Sequence, residues 1–243
     1  MPKAVFQQIY HDLKKKIEDG SYPYQSFLPS EAELTQAYDC SRSSVRRALS
    51  VLATDGYVQS QQGKGVRVIR NPALIDASGY NGLETFNELA ARCGFEPATH
   101  VLLFEEVEAD DALAEITGFA SGSKLTHIMR ARSADGVVIS TDESFYLSDE
   151  VPGLAPEIVA NSVYAYLEGT LGMKIGTSKR TITIDAATAY DEQVMDLDGF
   201  NAVGVMRSHT FDADGVMIEY TESRQRPGFF SYHETVIRPS AQA

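Results

Sequence analysis

Residues 28–49 read LPSEAELTQAYDCSRSSVRRAL, and this stretch predicts two short helices in close succession. Ser30 and Glu33 stand in the spacing of a capping box, which marks the start of the first helix. Its apolar side is expected to carry Leu34, Ala37 and Tyr38. Ser41 is a suitable N-cap for the second helix, whose apolar positions are Val45, Leu49 and Leu52. Two helices in this order predict a helix-turn-helix, which places the start of its second helix in the major groove of DNA.

The start of the second helix carries small hydroxyl residues interleaved with arginines. Arginine side chains donate hydrogen bonds to guanine edges and to phosphates, and serine hydroxyls suit both kinds of contact. The residues of this unit that are expected to contact DNA are Ser30, Ser41, Arg42, Ser43, Ser44, Arg46 and Arg47.

The flanking segments predict the rest of a small domain. The opening helix has an apolar stripe at helical spacing, made of Phe6, Ile9, Tyr10, Leu13 and Ile17. Residues 57–69 indicate two β-strands around a hairpin tip, and the tip residues expected to reach DNA are Gly63, Lys64 and Gly65. Residues 1–70 are therefore predicted to be a winged helix-turn-helix domain.

The charge distribution supports this division of the chain. Residues 1–70 hold ten Lys or Arg and seven Asp or Glu, a net charge of +3, whereas residues 71–243 hold eleven and twenty-seven, a net charge of −16. Because the field of the phosphates is screened over about 8–10 Å, the local charge of the first domain decides its attraction to DNA. The acidic remainder is expected to discourage indiscriminate binding.

Length and composition predict two folded domains joined by a linker. Residues 71–82 are rich in Pro, Gly, Ser and Asn, as is typical of a linker, and residues 83–240 form the predicted second domain. No apolar run approaches the length of a membrane span, so we expect a cytoplasmic protein without a membrane partner. Cys40 and Cys93 fall in different predicted domains and have no ligand spacing, so reduced, buried thiols and no metal site are expected.

An internal repeat organises the second domain. Residues 128–130 (IMR) lead to an Ala-Asp-Gly-Val turn at 134–137, and residues 205–207 (VMR) lead to the same turn at 213–216. The second copy has two extra residues before its turn. Asp-Gly turns favour β-hairpins, so the repeat predicts two hairpins.

Each copy is also expected to begin with a helix that ends in Gly-Phe, at residues 118–119 and 199–200. The two units predict an α+β domain with a mostly antiparallel sheet and helices packed to one side. Arg207 is the repeat-mate of Arg130, but His209 stands two residues after it where Arg130 is followed by Arg132. We therefore expect Arg207 to be structural.

These motifs carry a family resemblance. Residues 5–70, with the LPSE, SRxxVRxAL and DGYxxxxxGKG patterns, resemble the GntR family of bacterial transcription regulators. The layout from about Gly82 to Pro239 resembles the effector-sensing UTRA domain of the HutC branch, which shares the chorismate-lyase-like fold. The resemblance implies a repressor that binds double-stranded operator DNA. Its effector pocket is expected to be lined by Thr85, Phe86, Arg130, Arg132, Asp142, Ser162, Tyr164, Glu219 and Gln225.

The residue types in this set suit a sugar phosphate. On a strand, Arg130 and Arg132 point to the same face, so both guanidinium groups can bind one phosphate, although they also suit a cross-strand set of ion pairs. Ser162 is a good N-cap, and a helix start offers free N–H groups to an anion. Carboxylate and amide groups, namely Asp142, Glu219 and Gln225, can hydrogen-bond sugar hydroxyls.

Within the HutC branch, residues 162–172 and 220–226 are similar to the trehalose operon repressors of Gram-positive bacteria. This resemblance implies trehalose 6-phosphate as the inducer. Relatives that bind amino-sugar phosphates carry a tyrosine where this chain has Gln225, so another sugar phosphate, such as an amino-sugar 6-phosphate, is the alternative. A homodimer is also expected, because two-fold proteins read palindromic half-sites.

A third hypothesis is an enzyme of chorismate-lyase type fused to a DNA-binding domain. No acid, base and nucleophile set supports it, and a fold alone does not confer activity. We therefore expect no enzymatic activity, no catalytic residues and no cofactor. Turnover assays with chorismate would separate this hypothesis from the other two.

Overall fold

A computed structural model describes residues 5–71 and 82–232 of the chain, which form two compact units, one within each range. Residues 72–81, most of the predicted linker, and residues 233–243 lie outside the described residues. Within the two ranges, no helix combines the length and the apolar character needed to cross a membrane.

The first unit is a winged helix-turn-helix, as predicted. Its elements are α1 (Val5–Glu18), α2 (Glu31–Ala37), α3 (Arg42–Thr54), β1 (Val58–Gln61) and β2 (Gly65–Val68). The core joins all three helices and the hairpin and contains Ile9, Leu13, Ile17, Leu34, Val45, Leu49, Leu52, Val58 and Val68. Leu34 and Tyr38 contact the core as predicted, but the prediction for Ala37 is wrong: Ala37 is exposed, because α2 has only two turns and these two larger side chains make its contact with the core.

The second unit is built on one six-stranded antiparallel sheet. Its strands are β3 (Pro97–Glu108), β4 (Lys124–Ala134), β5 (Val137–Leu147), β6 (Ile175–Ala186), β7 (Ala202–Asp212) and β8 (Met217–Gln225), in the order β3-β4-β5-β8-β7-β6. Its helices are α4 (Phe86–Cys93), α5 (Asp111–Thr117), α6 (Pro156–Val159), α7 (Val163–Gly169) and α8 (Ala189–Val194). The predicted α+β class, with an antiparallel sheet and helices, is confirmed.

The sequence repeat appears as two halves of this sheet. The first half is β3-α5-β4-β5 and the second is β6-α8-β7-β8, and the halves meet where β5 pairs with β8. Glu143 and Glu222, which are repeat-mates, pair directly with each other. An approximate two-fold axis therefore passes between them. Asp135 and Gly136 both have positive φ, 50° and 81°, as the tight turn of the first hairpin requires.

The second copy of the repeat differs from the first before its hairpin. Gly118 ends α5 in the left-handed conformation, as expected, but α8 ends at Val194, well before Gly199. Met195 has already left the helical conformation, and its side chain is buried together with that of Leu197. The expectation of a helix ending at Gly199 is therefore wrong, because these two apolar side chains draw the chain into the core earlier.

Helices cover both faces of the sheet, which corrects the expectation of one side. Phe145 and Tyr146 are neighbours on β5 and point to opposite faces. Tyr146 packs with α6 and α7, whereas Phe145 packs with Leu113 of α5. Helix α8 joins the Phe145 face through an ion pair between Asp191 and Arg224, with 2.8 Å between Oδ2 and Nη2. The two repeat helices, α5 and α8, lie on the Phe145 face, and the segment between the two halves supplies α6 and α7 to the Tyr146 face.

Both cysteines are half-buried, so the expectation of full burial is wrong. Cys40 lies between α2 and α3, and Cys93 is the last residue of α4; both pack at the edge of an apolar cluster because helix ends are only partly covered. Among the residues that the structure describes, no three His, Cys, Asp or Glu side chains are grouped in a way that holds a metal ion.

One end of the sheet is closed by an aromatic ring. Gly204 of β7 lies directly under Phe230, and a Cβ at position 204 would lie 2.5 Å from two ring carbons. That separation is shorter than any van der Waals contact, so the ring can lie there only because residue 204 is a glycine.

Gly204→Ala is expected to lower the free energy of unfolding by about 1–3 kcal/mol, because a methyl group must displace a packed ring. Urea unfolding followed by circular dichroism measures the change. The control is Gly169→Ala, since a Cβ at position 169 meets no atom within 4 Å. It is expected to leave the unfolding free energy unchanged or to raise it by up to about 1 kcal/mol. Equal loss in both variants would show that the Phe230 contact is unimportant.

Candidate functional site

A cleft lies over one face of the six-stranded sheet. Its volume is about 770 Å³, counting the space that opens to solvent. Strands β4, β5, β8, β7 and β6 form its floor, and the starts of α4 and α7 form its walls. Eight of the nine residues expected in an effector pocket line it, namely Thr85, Phe86, Arg130, Arg132, Asp142, Ser162, Tyr164 and Glu219.

The ninth, Gln225, does not line the cleft. It is 4% exposed, and its Nε2 lies 3.4 Å from the Oγ of Ser223. Gln225 pairs with Gly204, whose Cα is covered by the Phe230 ring, so this end of the sheet face is already occupied. The side chain of Gln225 is therefore packed inside the protein, and other residues line the open part of this sheet face.

Two arginines converge on one buried carboxylate at the floor of the cleft. The Nε of Arg132 donates to Oδ2 of Asp142, and Nη2 of Arg130 lies 4.0 Å from the same oxygen. Ser223 donates its hydroxyl to Oδ1 of Asp142 at 2.7 Å. Burial raises the pKa of the Asp142 carboxyl, but the charges of Arg132 and Arg130 outweigh it and hold that pKa below its usual value. The group is therefore one carboxylate between two guanidinium cations.

This cluster leaves one buried donor without a partner among the residues that the structure describes. Arg130 is 4% exposed, and its Nε has no hydrogen-bond partner among the residues that the structure describes. Its Nη2 donates to the hydroxyl of Ser144 at 3.4 Å. An unsatisfied buried donor costs about 1–3 kcal/mol, more when it is charged. The free N–H of Arg130, beside the charge of Arg132, can bind a ligand anion.

The start of α4 holds the second arginine in place. Thr85 and Glu88 cap this helix reciprocally, with Glu88 Oε2 accepting from the Thr85 N–H at 2.7 Å. The first helical residue, Phe86, lies under Arg132, with 4.9 Å between the guanidinium carbon and the ring centroid. The aromatic face fixes the plane of the guanidinium, which suits planar recognition of an oxyanion.

A second polar group lies toward α7. Glu219 accepts hydrogen bonds from the hydroxyls of Tyr146 at 2.6 Å and Tyr164 at 2.7 Å. Burial and the neighbouring charge of Glu219 raise the pKa of both phenols, so both remain protonated donors. Ser162 caps α7 by accepting from the N–H of Ala165 at 3.2 Å. The wall of the cleft is therefore a fixed network of hydroxyl groups around one carboxylate.

The structure adds cleft residues that sequence reasoning missed. They are Glu84, Asn87, Tyr146, Asn161, Val163, Ser178, Arg180, Met206, Ser208, Thr221 and Ser223. The repeat misleads here: Asp142 pairs with Arg130, and its repeat-mate Thr221 pairs with Ser208, so Ser208 holds the place that Arg130 has in the first half. Arg207 points to the opposite face, where it forms ion pairs with Asp185 and Glu222.

The DNA-contacting residues expected from the sequence lie at the start of α3 and at the hairpin tip. Ser41 caps α3 by accepting from the N–H of Ser44 at 3.2 Å, and its hydroxyl lies 2.8 Å from that of Ser43. Ser30 is engaged in the capping box of α2 with Glu33. These hydroxyls fix the geometry of the two helix starts.

The arginines of α3 differ in their surroundings. Arg42 and Arg46 are both exposed. Arg46 also forms an ion pair with Glu31, with 2.8 Å between Nε and Oε2. Arg47 stacks on Phe6, with 4.0 Å between the guanidinium carbon and the ring centroid. Of the three arginines, Arg47 is therefore the one whose guanidinium group stacks on an aromatic ring of the same domain.

The hairpin tip presents Lys64 between two glycines. Gly63 and Gly65 have φ of 72° and 112°, in the region that disfavours other residues, so both are needed to form the tip. Lys64 is exposed. The tip therefore projects one cation, as a wing that contacts DNA requires.

Comparisons with known proteins agree with this architecture. Residues 6–68 match the sequence family of bacterial regulatory proteins called gntR, and residues 92–230 match the UTRA domain. The HTH-type transcriptional regulator TreR of Bacillus subtilis is 34% identical over 227 residues, which cover 93% of this chain and 94% of that protein.

Two solved structures share the fold. The possible transcriptional regulator YydK of Bacillus subtilis covers 96% of this chain and 100% of its own, with a TM-score of 0.79 and 20% identity. The effector binding domain of the B. subtilis trehalose repressor covers 59% of this chain and 99% of its own, with a TM-score of 0.53 and 28% identity.

Proposed function

Because this chain belongs to the GntR family of bacterial transcription regulators and carries a UTRA domain, we propose that it is a repressor of a trehalose utilisation operon. In this proposal the first unit binds operator DNA, and a phosphorylated sugar in the cleft of the second unit releases it. Trehalose 6-phosphate is the proposed effector.

The observation that carries the proposal is the incomplete ion cluster at Arg130. A phosphate carries about two negative charges and several acceptor oxygens. It can interact with the charges of Arg130 and Arg132 and accept from the free Nε of Arg130. Charged hydrogen bonds of this kind are about twice as strong as neutral ones, so the phosphate dominates recognition.

The remaining cleft surface suits the hydroxyls of a sugar. Ser208, Thr221 and Ser223 line the floor, and Glu219 with its two tyrosines lines the wall. Such groups both donate to and accept from neutral hydroxyls. The similarity to TreR and to the trehalose repressor's effector binding domain supports trehalose as the sugar.

We further propose that the repressor acts as a homodimer through its second unit, because a single small winged helix covers one operator half-site. A monomer in light scattering at micromolar concentration would contradict this part of the proposal.

Operator release tests the proposed function directly. A cognate duplex selected from random sequences by repeated binding is titrated with the full chain, with and without each sugar. Trehalose 6-phosphate is expected to weaken operator binding by about 5- to 150-fold, the usual range of allosteric coupling. Free trehalose is the control for the phosphate, and glucosamine 6-phosphate tests the alternative ligand. Equal release by free trehalose, or release by glucosamine 6-phosphate alone, would refute trehalose 6-phosphate as the effector.

A further inference from the structure

A second arginine site lies at the opposite side of the cleft from Arg130. Arg180 is on the edge strand β6 and lines the cleft beside Ser178 and Ser208. Its Nη1 donates to the backbone oxygen of Gly82 at 2.6 Å. Its Nε is buried and has no hydrogen-bond partner among the described residues. Arg180 therefore repeats the feature that marks Arg130, a buried guanidinium N–H without an acceptor.

The sheet register places the two arginines far apart. Arg130 is on β4 and Arg180 on β6, which are four positions apart in the strand order. At about 4.8 Å per strand, four spacings amount to about 19 Å along a flat sheet, and sheet curvature brings the side chains closer. Ser144, Thr221, Ser208 and Arg180 follow one another across neighbouring strands. A row of hydroxyls thus connects the region of Arg130 to Arg180.

The distance between Arg130 and Arg180 bears on the size of a ligand that contacts both residues. A pyranose ring is about as wide as one strand spacing, roughly 5 Å. With a phosphate at Arg130, one ring extends the ligand by about one strand spacing toward β6, and a second ring extends it by about one more. A ligand with two rings continues along the hydroxyl row and reaches Arg180.

From this geometry we infer that Arg180 is the specificity residue for the second ring of a phosphorylated disaccharide. Its free Nε donates to a hydroxyl or ring oxygen of the ring that is remote from the phosphate. The inference rests on the proposed function, since it takes the phosphate to be at Arg130. It extends that function by assigning the far end of the ligand to one residue.

The hydrogen bond from Arg180 to the backbone oxygen of Gly82 explains why an arginine suits position 180. Gly82 lies three residues before Thr85, the cap of the helix that forms the other wall of the cleft. The carbonyl orients the guanidinium, so the free Nε is positioned before the ligand arrives. A preorganised donor loses less conformational entropy on binding than a free side chain.

Calorimetry with two ligands that each carry a 6-phosphate separates the proposed contact of Arg180 with the second ring from phosphate binding. The full chain and its Arg180→Ala variant are titrated with trehalose 6-phosphate and with glucose 6-phosphate. We expect the variant to bind trehalose 6-phosphate about ten- to a hundredfold more weakly, as for the loss of one charged hydrogen bond. Its affinity for glucose 6-phosphate is expected to change by less than about twofold.

Two further variants control for folding. Lys179→Ala removes a cation from the opposite face of the same strand, where Lys179 lies over Phe211, and is expected to bind both ligands as the parent does. Arg180→Lys keeps the charge but not the Nε–H, and is expected to lose affinity for the disaccharide alone. If Arg180→Ala is unfolded by circular dichroism, Arg180→Lys decides the question.

The outcomes distinguish the two ideas. Equal loss of both ligands, or no loss of either, in the folded Arg180 variants would overturn the role of Arg180 and leave the proposed function intact. A parent protein that binds neither sugar phosphate would overturn the proposed function, and the inference with it.

Discussion

Arg130→Ala is expected to abolish release of the operator by trehalose 6-phosphate while leaving operator affinity in the absence of the sugar within about twofold. Arg130 is buried in the second unit, and its loss removes one positive charge and the unpartnered Nε. Truncating one partner of a buried, hydrogen-bonded charge pair costs about 2–5 kcal/mol, or about 30- to 5,000-fold in effector affinity. Asp142 keeps its contacts with Arg132 and Ser223, so the fold is expected to survive.

The measurement is operator affinity by fluorescence anisotropy, with and without the sugar phosphate, for the parent and each variant. Arg132→Ala is expected to lose the response as well. Arg207→Ala is the matched control, because Arg207 is an arginine of the same sheet that points to the other face and pairs with Asp185 and Glu222. A full response in both Arg130→Ala and Arg132→Ala would show that the ion cluster does not bind the effector.

Arg42→Ala and Arg46→Ala are each expected to weaken operator binding by about 1–3 kcal/mol, or about 5- to 150-fold. Both arginines are exposed at the start of α3, where a recognition helix meets the base edges. Arg46 first has to leave Glu31, so its net contribution is expected to be the smaller of the two. The effector response is expected to persist, because neither residue lies in the second unit.

Titration of a selected operator against a scrambled duplex measures this loss and separates base contacts from phosphate contacts. The arginine variants are expected to lose discrimination between the two duplexes. Lys64→Ala serves as the contrast: a wing lysine on a phosphate lowers affinity for both duplexes alike and reduces the salt slope by about one. Unchanged operator affinity in both arginine variants would refute the assignment of α3 as the recognition helix.

The first unit was predictable because its signals are local. The capping box of Ser30 and Glu33 and the cap at Ser41 fix two helix starts within four residues each, and the structure contains both. The glycines at 63 and 65 likewise specify a hairpin tip by their positive φ. Each of these features depends on neighbours in the chain, so the sequence alone was sufficient.

The cleft was only partly predictable, because it depends on strand register. Arg130, Arg132 and Asp142 belong to one hairpin, and a tight Asp-Gly turn sets their pairing. Both halves have an irregular pairing near the turn, but the turn of the second half is longer, which shifts its pairing so that Ser208 lies in the cleft and Arg207 does not. No periodicity in the sequence encodes such a shift.

Two further differences have long-range causes. The placement of Gln225 depends on Phe230 covering Gly204, a contact that only the folded chain reveals. The placement of Arg180 in the cleft depends on the pairing of β6 with β7 at the far edge of the sheet. Its repeat counterpart on β3 is Val101, which pairs with Arg130, so the repeat gave no indication of an arginine there.

The duplicated sheet has a consequence for how new sensors of this kind can arise. Its two halves have the same order of strands and helices. The first half contributes Arg130, Arg132 and Asp142 to the cleft, and the second contributes Arg180 and Ser208. Under the proposed function, substitutions on β6 and β7 are expected to alter which sugar is accepted without disturbing the proposed phosphate site on β4 and β5. A designer who wishes to redirect the regulator to a different phosphorylated metabolite has one half to randomise and the other to keep.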